Sequence, residues 1–346
     1  MDHLQTRLDA LEQQVQTLNQ QTHTVKRQLH WWRGLACGLA VLAGLTWALP
    51  AVIAQEDARE QGRKGLAQRV AALEQLLTHF SREKHEIFIT GANLHLVNGL
   101  GSTRCTDEEG NEIPDCPNGL GNLIVGYNET RGKDPESGED LDIRTGSHNV
   151  VVGEFHNFSR FGGLVVGGSN TISGAFAAVS GGGANTASGA FAVVSGGGSN
   201  TASGIFASVS GGQGNTASGD FSSVSGGGVS DVILDPGLGN TASGRLASVC
   251  GGSNNKAIGF FDTVSGGQNN TASGGNTWVS GGFNNTASGL FAVVSGGREN
   301  TASGGDPETG TGGAAVVSGG FQNTASGDFA TISGGQNITP GVTQER

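Results

Sequence analysis

The stretch that decides the fold is NTASGAFAVVSGGGS at residues 185–199, followed at once by NTASGIFASVSGGQG at residues 200–214. The same unit recurs from Gly162 almost to the end of the chain, and its first Asn marks each copy. These Asn residues are at positions 170, 185, 200, 215, 240, 255, 270, 285, 300 and 323. The step is 15 residues, apart from steps of 25 and 23 that contain insertions. Such regular self-similarity indicates a repeat architecture.

Fifteen residues are too few for two packed helices, and 62 glycines among 346 residues disfavour helix. The unit can hold two short strands and two tight turns, which is one coil of a solenoid. Successive coils would stack as parallel strands about 4.8 Å apart, so that identical residues form columns. We therefore predict a mainly β chain, built as a parallel β-roll or β-solenoid of 15-residue coils.

Two columns carry the predictions about packing. A column that is Val or Ile in every coil from Val166 to Ile332 is predicted to fill the core, and the variable residue before it, such as Val193 before Val194, to face solvent. The core column comprises Val179, Val194, Val209, Val224, Val249, Val264, Val279, Val294 and Val317. A Phe column is too bulky for so small an interior and is predicted to be buried between chains; the alternative is a half-exposed corner of a monomer. It comprises Phe176, Phe191, Phe206, Phe221, Phe291 and Phe329.

The N-terminal hundred residues follow a different pattern. Two apolar seams at heptad spacing predict coiled coils, one over residues 1–30 and a stalk over residues 55–86 with its helix ending near Glu86. The first seam is Leu4, Leu8, Leu11, Val15, Leu18, Val25 and Leu29, and the second is Leu66, Val70, Leu73, Leu77 and Phe80.

Between the seams, residues 31–54 are predicted to form a transmembrane helix that anchors the chain. Gly34 to Ala54 contains no charged residue, and its 21 residues reach about 31 Å as a helix, enough to cross a bilayer core. A cleaved signal peptide is the alternative, because small residues flank Ile53 in Val52-Ile53-Ala54. Basic residues stand on both sides of the segment, so they do not settle its orientation.

At this point the SGGxxNTASGxFAxVSGG units resemble the head repeats of trimeric autotransporter adhesins, the YadA-like left-handed parallel β-roll. The resemblance covers roughly Gly121–Gly335, and it implies a homotrimer with a surface-exposed, adhesive role. The unit is a residue longer than is typical of that family. The family's C-terminal membrane barrel is not expected after GGQNITPGVTQER, so the helix at 31–54 would serve as the anchor. Residues 87–161 would form a head-proximal region with divergent β coils and acidic loops, and 162–346 the repeat domain.

Composition and motifs limit the other functions. The net charge is −11, and only five of the 19 basic residues lie from Arg160 onwards, so no basic patch for nucleic acid is expected. His148 and His156 lie near Glu154, but no nucleophile or metal-ligand spacing accompanies them. We predict no enzyme activity and no cofactor.

Three weaker features are kept as hypotheses. Cys105 and Cys116 bracket a short loop that a disulfide could close outside the cytoplasm. Two acidic loops, around 107–115 and 134–142, are rich in oxygen ligands but lack a calcium-loop spacing, so solvated loops are preferred. The Thr and Ser of each NTAS lie on one strand face, and such a hydroxyl array suggests ice binding as an alternative function.

The sequence thus predicts a single-pass membrane protein of a bacterial cell envelope, with the repeat domain outside the cytoplasm. Its partners would be two further copies of itself, the membrane through residues 31–54, and an unidentified surface ligand. Adhesion or surface-structure formation is the expected role, with a periplasmic spacer as another alternative.

Overall fold

The structure is a computed structural model. It describes residues 13–26, 63–75, 77–103, 109, 111, 117–228, 239–305, 308 and 313–339. The chain divides into two compact units, Met1–Leu94 and His95–Arg346. The second unit is a parallel β-solenoid of about 11 turns.

In the first unit, helices α1 and α2 occupy residues 13–26 and 63–75. A hairpin follows, in which β1 (Phe80–Glu83) pairs antiparallel with β2 (Glu86–Ile89). The prediction that the second helix continues to near Glu86 is therefore wrong. The hydroxyl of Thr78 donates to the carbonyl groups of Glu74 and Gln75, which satisfies acceptors at the helix end.

The apolar seams of both helices lie at the surface of this single chain. Val15, Leu18, Leu66 and Leu73 each expose about half of their area. An a/d seam that is exposed in one chain is what a coiled coil between chains requires, so the coiled coils stay a prediction.

No helix within the described ranges is long and apolar enough to cross a bilayer. The predicted membrane segment, 31–54, lies outside those ranges. Arg63 donates a 2.8 Å hydrogen bond to the side chain of Asn19. This contact between α1 and α2 is not the arrangement that a membrane crossing between them would give, and the crossing remains a prediction.

Two parallel sheets form the walls of the solenoid. Within the described residues the larger sheet has 13 strands and the smaller has 11. The larger sheet consists of β3 (Leu123–Val125), β4 (Val150–Glu154), β6 (Leu164–Gly168), β8 (Ala178–Val179), β10 (Val193–Val194), β12 (Ser208–Val209), β14 (Ser223–Val224), β16 (Ser248–Val249), β18 (Thr263–Val264), β20 (Trp278–Val279), β22 (Val293–Val294), β24 (Val316–Val317) and β26 (Thr331–Ile332). The smaller consists of β5 (Asn157–Phe158), β7 (Thr171–Ile172), β9 (Thr186–Ala187), β11 (Thr201–Ala202), β13 (Thr216–Ala217), β15 (Thr241–Ala242), β17 (Lys256–Ala257), β19 (Thr271–Ala272), β21 (Thr286–Ala287), β23 (Thr301–Ala302) and β25 (Thr324–Ala325).

The pairing register follows the repeat and passes across both insertions. Val194 pairs with Val209, 15 residues on. Thr216 pairs directly with Thr241, and Val294 with Val317, so each longer step still joins neighbouring coils.

The first coils use a shorter step than the rest. Val151 pairs with Val165, and Val165 with Val179, which are steps of 14 residues. The predicted start of the core column at Val166 is therefore wrong by one residue, because the 15-residue period was extended into coils that do not follow it.

Each regular coil buries only four side chains. In the coil that begins at Asn200 these are Asn200, Ala202, Ala207 and Val209, all fully buried. The column that was predicted to point inward, from Val179 to Val317, is buried throughout. Close approach of neighbouring coils demands glycine at the corners: at Gly197, where φ is +84°, a Cβ would lie 2.1 Å from the carbonyl oxygen of the next coil.

The buried Asn residues link the coils through what we call the Asn ladder, formed by the repeat Asn residues from 170 to 323. Asn200 is typical: its side-chain oxygen accepts from the backbone N–H of Asn215 at 2.9 Å. Its side-chain NH₂ donates to the carbonyl groups of Gly196 and Gly212, each at 2.9 Å. These bonds satisfy a buried polar column that would otherwise destabilise the core.

His156 is the first rung of the Asn ladder. It is buried, and its Nδ1 accepts from the backbone N–H of Asn170 at 3.2 Å, as an Asn oxygen does elsewhere. Its Nε2 lies 3.0 Å from the carbonyl oxygen of Val152, four residues earlier, where an Asn NH₂ would donate. A neutral ring with its proton on Nε2 fulfils both roles.

We therefore expect His156→Asn to keep the stability of the protein close to that of the wild type. His156→Ala removes both bonds and is expected to cost about 1–3 kcal/mol, because it leaves a buried N–H and a buried carbonyl unpaired. Thermal unfolding of the full chain, followed by circular dichroism, compares the variants. Equal melting temperatures for the two variants would show that His156 is not a rung.

Candidate functional site

The surface feature that distinguishes this solenoid is the sixth residue after each rung of the Asn ladder, which we call the corner column. Its members share a left-handed backbone conformation, with φ between +52° and +61°. They are Phe176, Phe191, Phe206, Phe221, Leu246, Phe261, Asn276, Phe291 and Phe329.

Phenylalanine is an unfavourable choice for this conformation. A left-handed φ costs an L-residue with a side chain about 1–2 kcal/mol, and Asn and Gly tolerate it best. The other left-handed column of the solenoid, just before the Asn ladder, fits that rule with residues such as Ala184, Ser199 and Asn254. Since the corner column holds Phe at most positions, some interaction of the ring must offset the backbone cost.

Four consecutive rings of the corner column form what we call the Phe ladder, which consists of Phe176, Phe191, Phe206 and Phe221. Their ring centroids are 5.2, 4.7 and 5.2 Å apart, and adjacent planes are within 15° of parallel. Between 42% and 49% of Phe191, Phe206 and Phe221 remains exposed. Stacking thus covers the ring faces and leaves a strip of apolar edges at the surface, and an exposed contiguous strip of this kind marks an interaction site.

The six Phe residues predicted from the sequence all lie in the corner column, and none is in the core. The single chain leaves them exposed, with Phe329 the most exposed at 76%. The prediction missed Phe261 and Leu246, although counting six residues from Asn255 and Asn240 finds them. The column is interrupted twice, by Asn276 and by the insertion after Gly305.

The Thr and Ser residues of NTAS line the outer face of the smaller sheet. Thr201 and Ser203 point away from the buried Ala202 between them, and Thr201 pairs with Thr186 and Thr216. This is the flat hydroxyl array that the ice-binding alternative needs. The array is broken in one coil, where Lys256 and Ile258 replace Thr and Ser.

The acidic loop at 134–142 is occupied with its own hydrogen bonds. Asp134 accepts from the backbone N–H groups of Ser137 and Glu136, and these bonds lower the pKa of its carboxyl group. Such side-chain caps belong to a turn. They leave the calcium hypothesis without support from geometry, and among the described residues no cluster of three or more potential ligands is found.

Two arginines fasten the same segment to the solenoid. Arg131 donates to the carbonyl groups of Phe155, Ser169 and Asn170 at 2.6–3.0 Å. Arg144 lies 2.8 Å from Asp142. Desolvation raises the pKa of Asp142, but hydrogen bonds and the nearby arginines outweigh it and hold that pKa below its ordinary value. The charges here serve structure.

The remaining predicted residues take no part in a visible site. Cys105 and Cys116 lie outside the described residues, so their disulfide stays a prediction. Cys250 is an exposed free thiol in the position where other coils have Ser. His156 belongs to the Asn ladder and is not paired with Glu154.

Comparison with known proteins gives one family match. Residues 278–289 match the model of the ubiquitous surface protein adhesin repeat. No curated protein matches the chain. The match covers a single repeat, but the period is shared by the whole solenoid. Repeat and fold together fit a surface adhesin-like β-solenoid, a class whose role is structural and adhesive.

Proposed function

We propose that this chain is a non-enzymatic envelope protein that displays its solenoid as a homotrimeric head on a coiled-coil stalk, for adhesion or surface-structure formation. The observation that carries the proposal is the Phe ladder. Four half-exposed rings occupy a backbone conformation that disfavours Phe, and burial against another copy offsets that cost.

The proposal narrows the contact between copies to the Phe ladder, because only there are the rings continuous. Each half-exposed ring that becomes buried adds apolar area worth about 25 cal/mol per Å². The exposed seams of α1 and α2 give a second place of contact. Neither surface fixes the number of chains, so three is taken from the resemblance to trimeric adhesins.

The membrane anchor and the exposure of the head complete the proposal. Residues 31–54 anchor the chain, and the repeat domain stands outside the cytoplasm. Protease treatment of intact cells, followed by detection of head fragments, tests this. Protection of the head in intact cells, with cleavage only after the outer layers are opened, favours the periplasmic spacer.

Ice binding is the second candidate, since the hydroxyl array of the smaller sheet faces outward. Its interruption at Lys256 and Ile258 argues for a lower rank. Thermal hysteresis of the full chain separates it from adhesion.

For self-association we expect the double variant Phe191→Asn/Phe206→Asn to weaken the contact by about 100-fold or more, because each buried aromatic anchor at an interface typically contributes ~2 kcal/mol. Asn relieves the left-handed strain while losing the stacking, so the melting temperature of the head should change little. Sedimentation equilibrium of the full chain in detergent measures the association.

The matched control is Ala184→Asn/Ser199→Asn, which places the same residue in the other left-handed column of neighbouring coils. It should sediment like the wild type. A wild-type monomer at micromolar concentration, or equal association of both double variants, would remove the Phe ladder from the interface.

A further inference from the structure

Two neighbouring coils depart from the repeat together, at one place on the surface. Because the other coils are nearly identical in sequence, they serve as an internal reference for what the fold alone requires. The corner column and the two positions after it hold mostly Phe, then Ala, then a small or β-branched residue. In these two coils the three positions read Phe261, Asp262, Thr263 and then Asn276, Thr277, Trp278.

The departures create a cavity. Asn276 lacks the ring that Phe would place there, so the corner column has a gap between Phe261 and Phe291. A cavity of about 310 Å³ occupies this place, lined by Phe261, Thr263, Asn276, Thr277 and Trp278. This volume lies at the lower end of the ~300–1,000 Å³ found for small-molecule sites. Phe261 and Trp278 keep 48% and 51% of their surfaces exposed, so the cavity is open to solvent.

Hydrogen bonds fix the walls and the floor of the cavity. The indole N–H of Trp278 donates to the hydroxyl of Ser265 at 3.0 Å, which sets the orientation of the ring. Beneath it, the carboxylate of Asp262 is fully buried in a column that is otherwise mostly Ala. It accepts from the backbone N–H groups of Gly259 at 2.7 Å and Thr277 at 2.9 Å. A buried carboxylate is costly, so its presence at this one position indicates that the altered corner is worth holding.

The floor also holds a polar atom without a partner. The hydroxyl oxygen of Thr277 is buried and makes no hydrogen bond to any residue that the structure describes. Buried polar groups in native proteins are nearly always paired. A hydroxyl in this state at the wall of a cavity is consistent with a ligand or a water molecule that completes its bonding.

We propose that this cavity binds a neutral sugar ring. The electron-rich faces of Phe261 and Trp278 attract the polarised C–H groups of a pyranose. The amide of Asn276 and the hydroxyl of Thr263 offer donors and acceptors to its hydroxyl groups. None of the five lining side chains is charged, which disfavours phosphate, carboxylate and cationic ligands. The inference deepens the proposed adhesive role and rests on it for its biological meaning.

The test uses the full chain in a zwitterionic detergent, because sugar-based detergents would compete. Saturation-transfer NMR is recorded with the methyl glycosides of glucose, galactose, mannose and N-acetylglucosamine. We expect saturable transfer to at least one glycoside. Trp278→Ala should weaken binding by about tenfold, the effect of losing one ring contact. Asn276→Phe restores the repeat residue, fills the gap, and should abolish binding while the melting temperature stays near that of the wild type.

The control is Val193→Ala, in the same column as Trp278 but in a remote coil, and it should bind like the wild type. Absence of saturable transfer to all four glycosides overturns the proposal, as does unchanged binding by Asn276→Phe. If no sugar binds and Trp278→Ala weakens self-association, the cavity receives a second copy of the chain instead. Failure of the trimer is seen separately, as a wild-type monomer in sedimentation, and leaves the sugar result unaffected because one chain lines the cavity.

Discussion

Replacing Val194 by Asp is expected to cut the solenoid in two, whereas replacing its neighbour Val193 by Asp is expected to leave it intact. Val194 is fully buried and pairs in register with Val179 and Val209, which are also fully buried. A core of four side chains per coil has no room to rearrange and no partner for a charge, so Val194→Asp should cost several kcal/mol.

Val193 differs only in the direction of its side chain. It pairs with Ala178 and Ser208 on the outer face of the larger sheet and is partly exposed. Val193→Asp should therefore cost about 0.5 kcal/mol or less, as surface changes usually do. Because a solenoid is stabilised mainly between neighbouring coils, the Val194→Asp defect should open the stack near residue 194.

Limited proteolysis of the full chain distinguishes the two variants. Val194→Asp should yield two head fragments that meet near the substitution, and Val193→Asp should resist cleavage like the wild type. Equal resistance of the two variants would mean that the inner and outer faces of the sheet have been assigned the wrong way round.

The second large effect is expected in the Asn ladder. Asn200→Ala removes the acceptor for the N–H of Asn215 and the donor to two glycine carbonyl groups. With at least one buried group left unpaired and a void created, we expect a loss of about 2–4 kcal/mol.

Asn200→Leu separates the two causes, because it keeps the volume and loses the hydrogen bonds. It should destabilise the protein about as much as Asn200→Ala. Ser199→Ala is the neighbouring control: Ala already stands in that column at position 184, so no change is expected. Urea unfolding of the full chain measures all three. Recovery of wild-type stability by Asn200→Leu would show that the ladder acts through packing alone.

Much of the solenoid follows from its period. A 15-residue unit rich in glycine leaves few alternatives to stacked coils, and the constancy of the Val column identifies the inner face. The same regularity misled at the N-terminal edge, where the coils step by 14 residues and Val165 takes the place assigned to Val166. A period measured in the regular copies carries no information about coils that have diverged.

The details of the corners could not be read in the same way. Helical spacing continues through Leu77 and Phe80, yet α2 ends at residue 75 because Thr78 bonds back to the last turn and Phe80 joins a strand. The Asn column was expected to link amide to amide, but its oxygens mainly accept from the backbone. A left-handed Phe is a conformation that propensities argue against, so the stacked rings on the surface came from the structure.

The joints between coils have a consequence for how such a chain changes over time. Every regular joint is the same: Val on Val, Thr on Thr, Asn on Asn. If residues 200–214 were deleted, Asn185 and Val194 would meet Asn215 and Val224 with their register preserved. Gain or loss of whole repeats through recombination between near-identical gene segments therefore changes the height of the head in steps of about 4.8 Å and leaves its cross-section as it was. The two insertions already show that such a joint forms even when extra residues intervene. The head is a ruler whose length a lineage can reset without redesigning the fold.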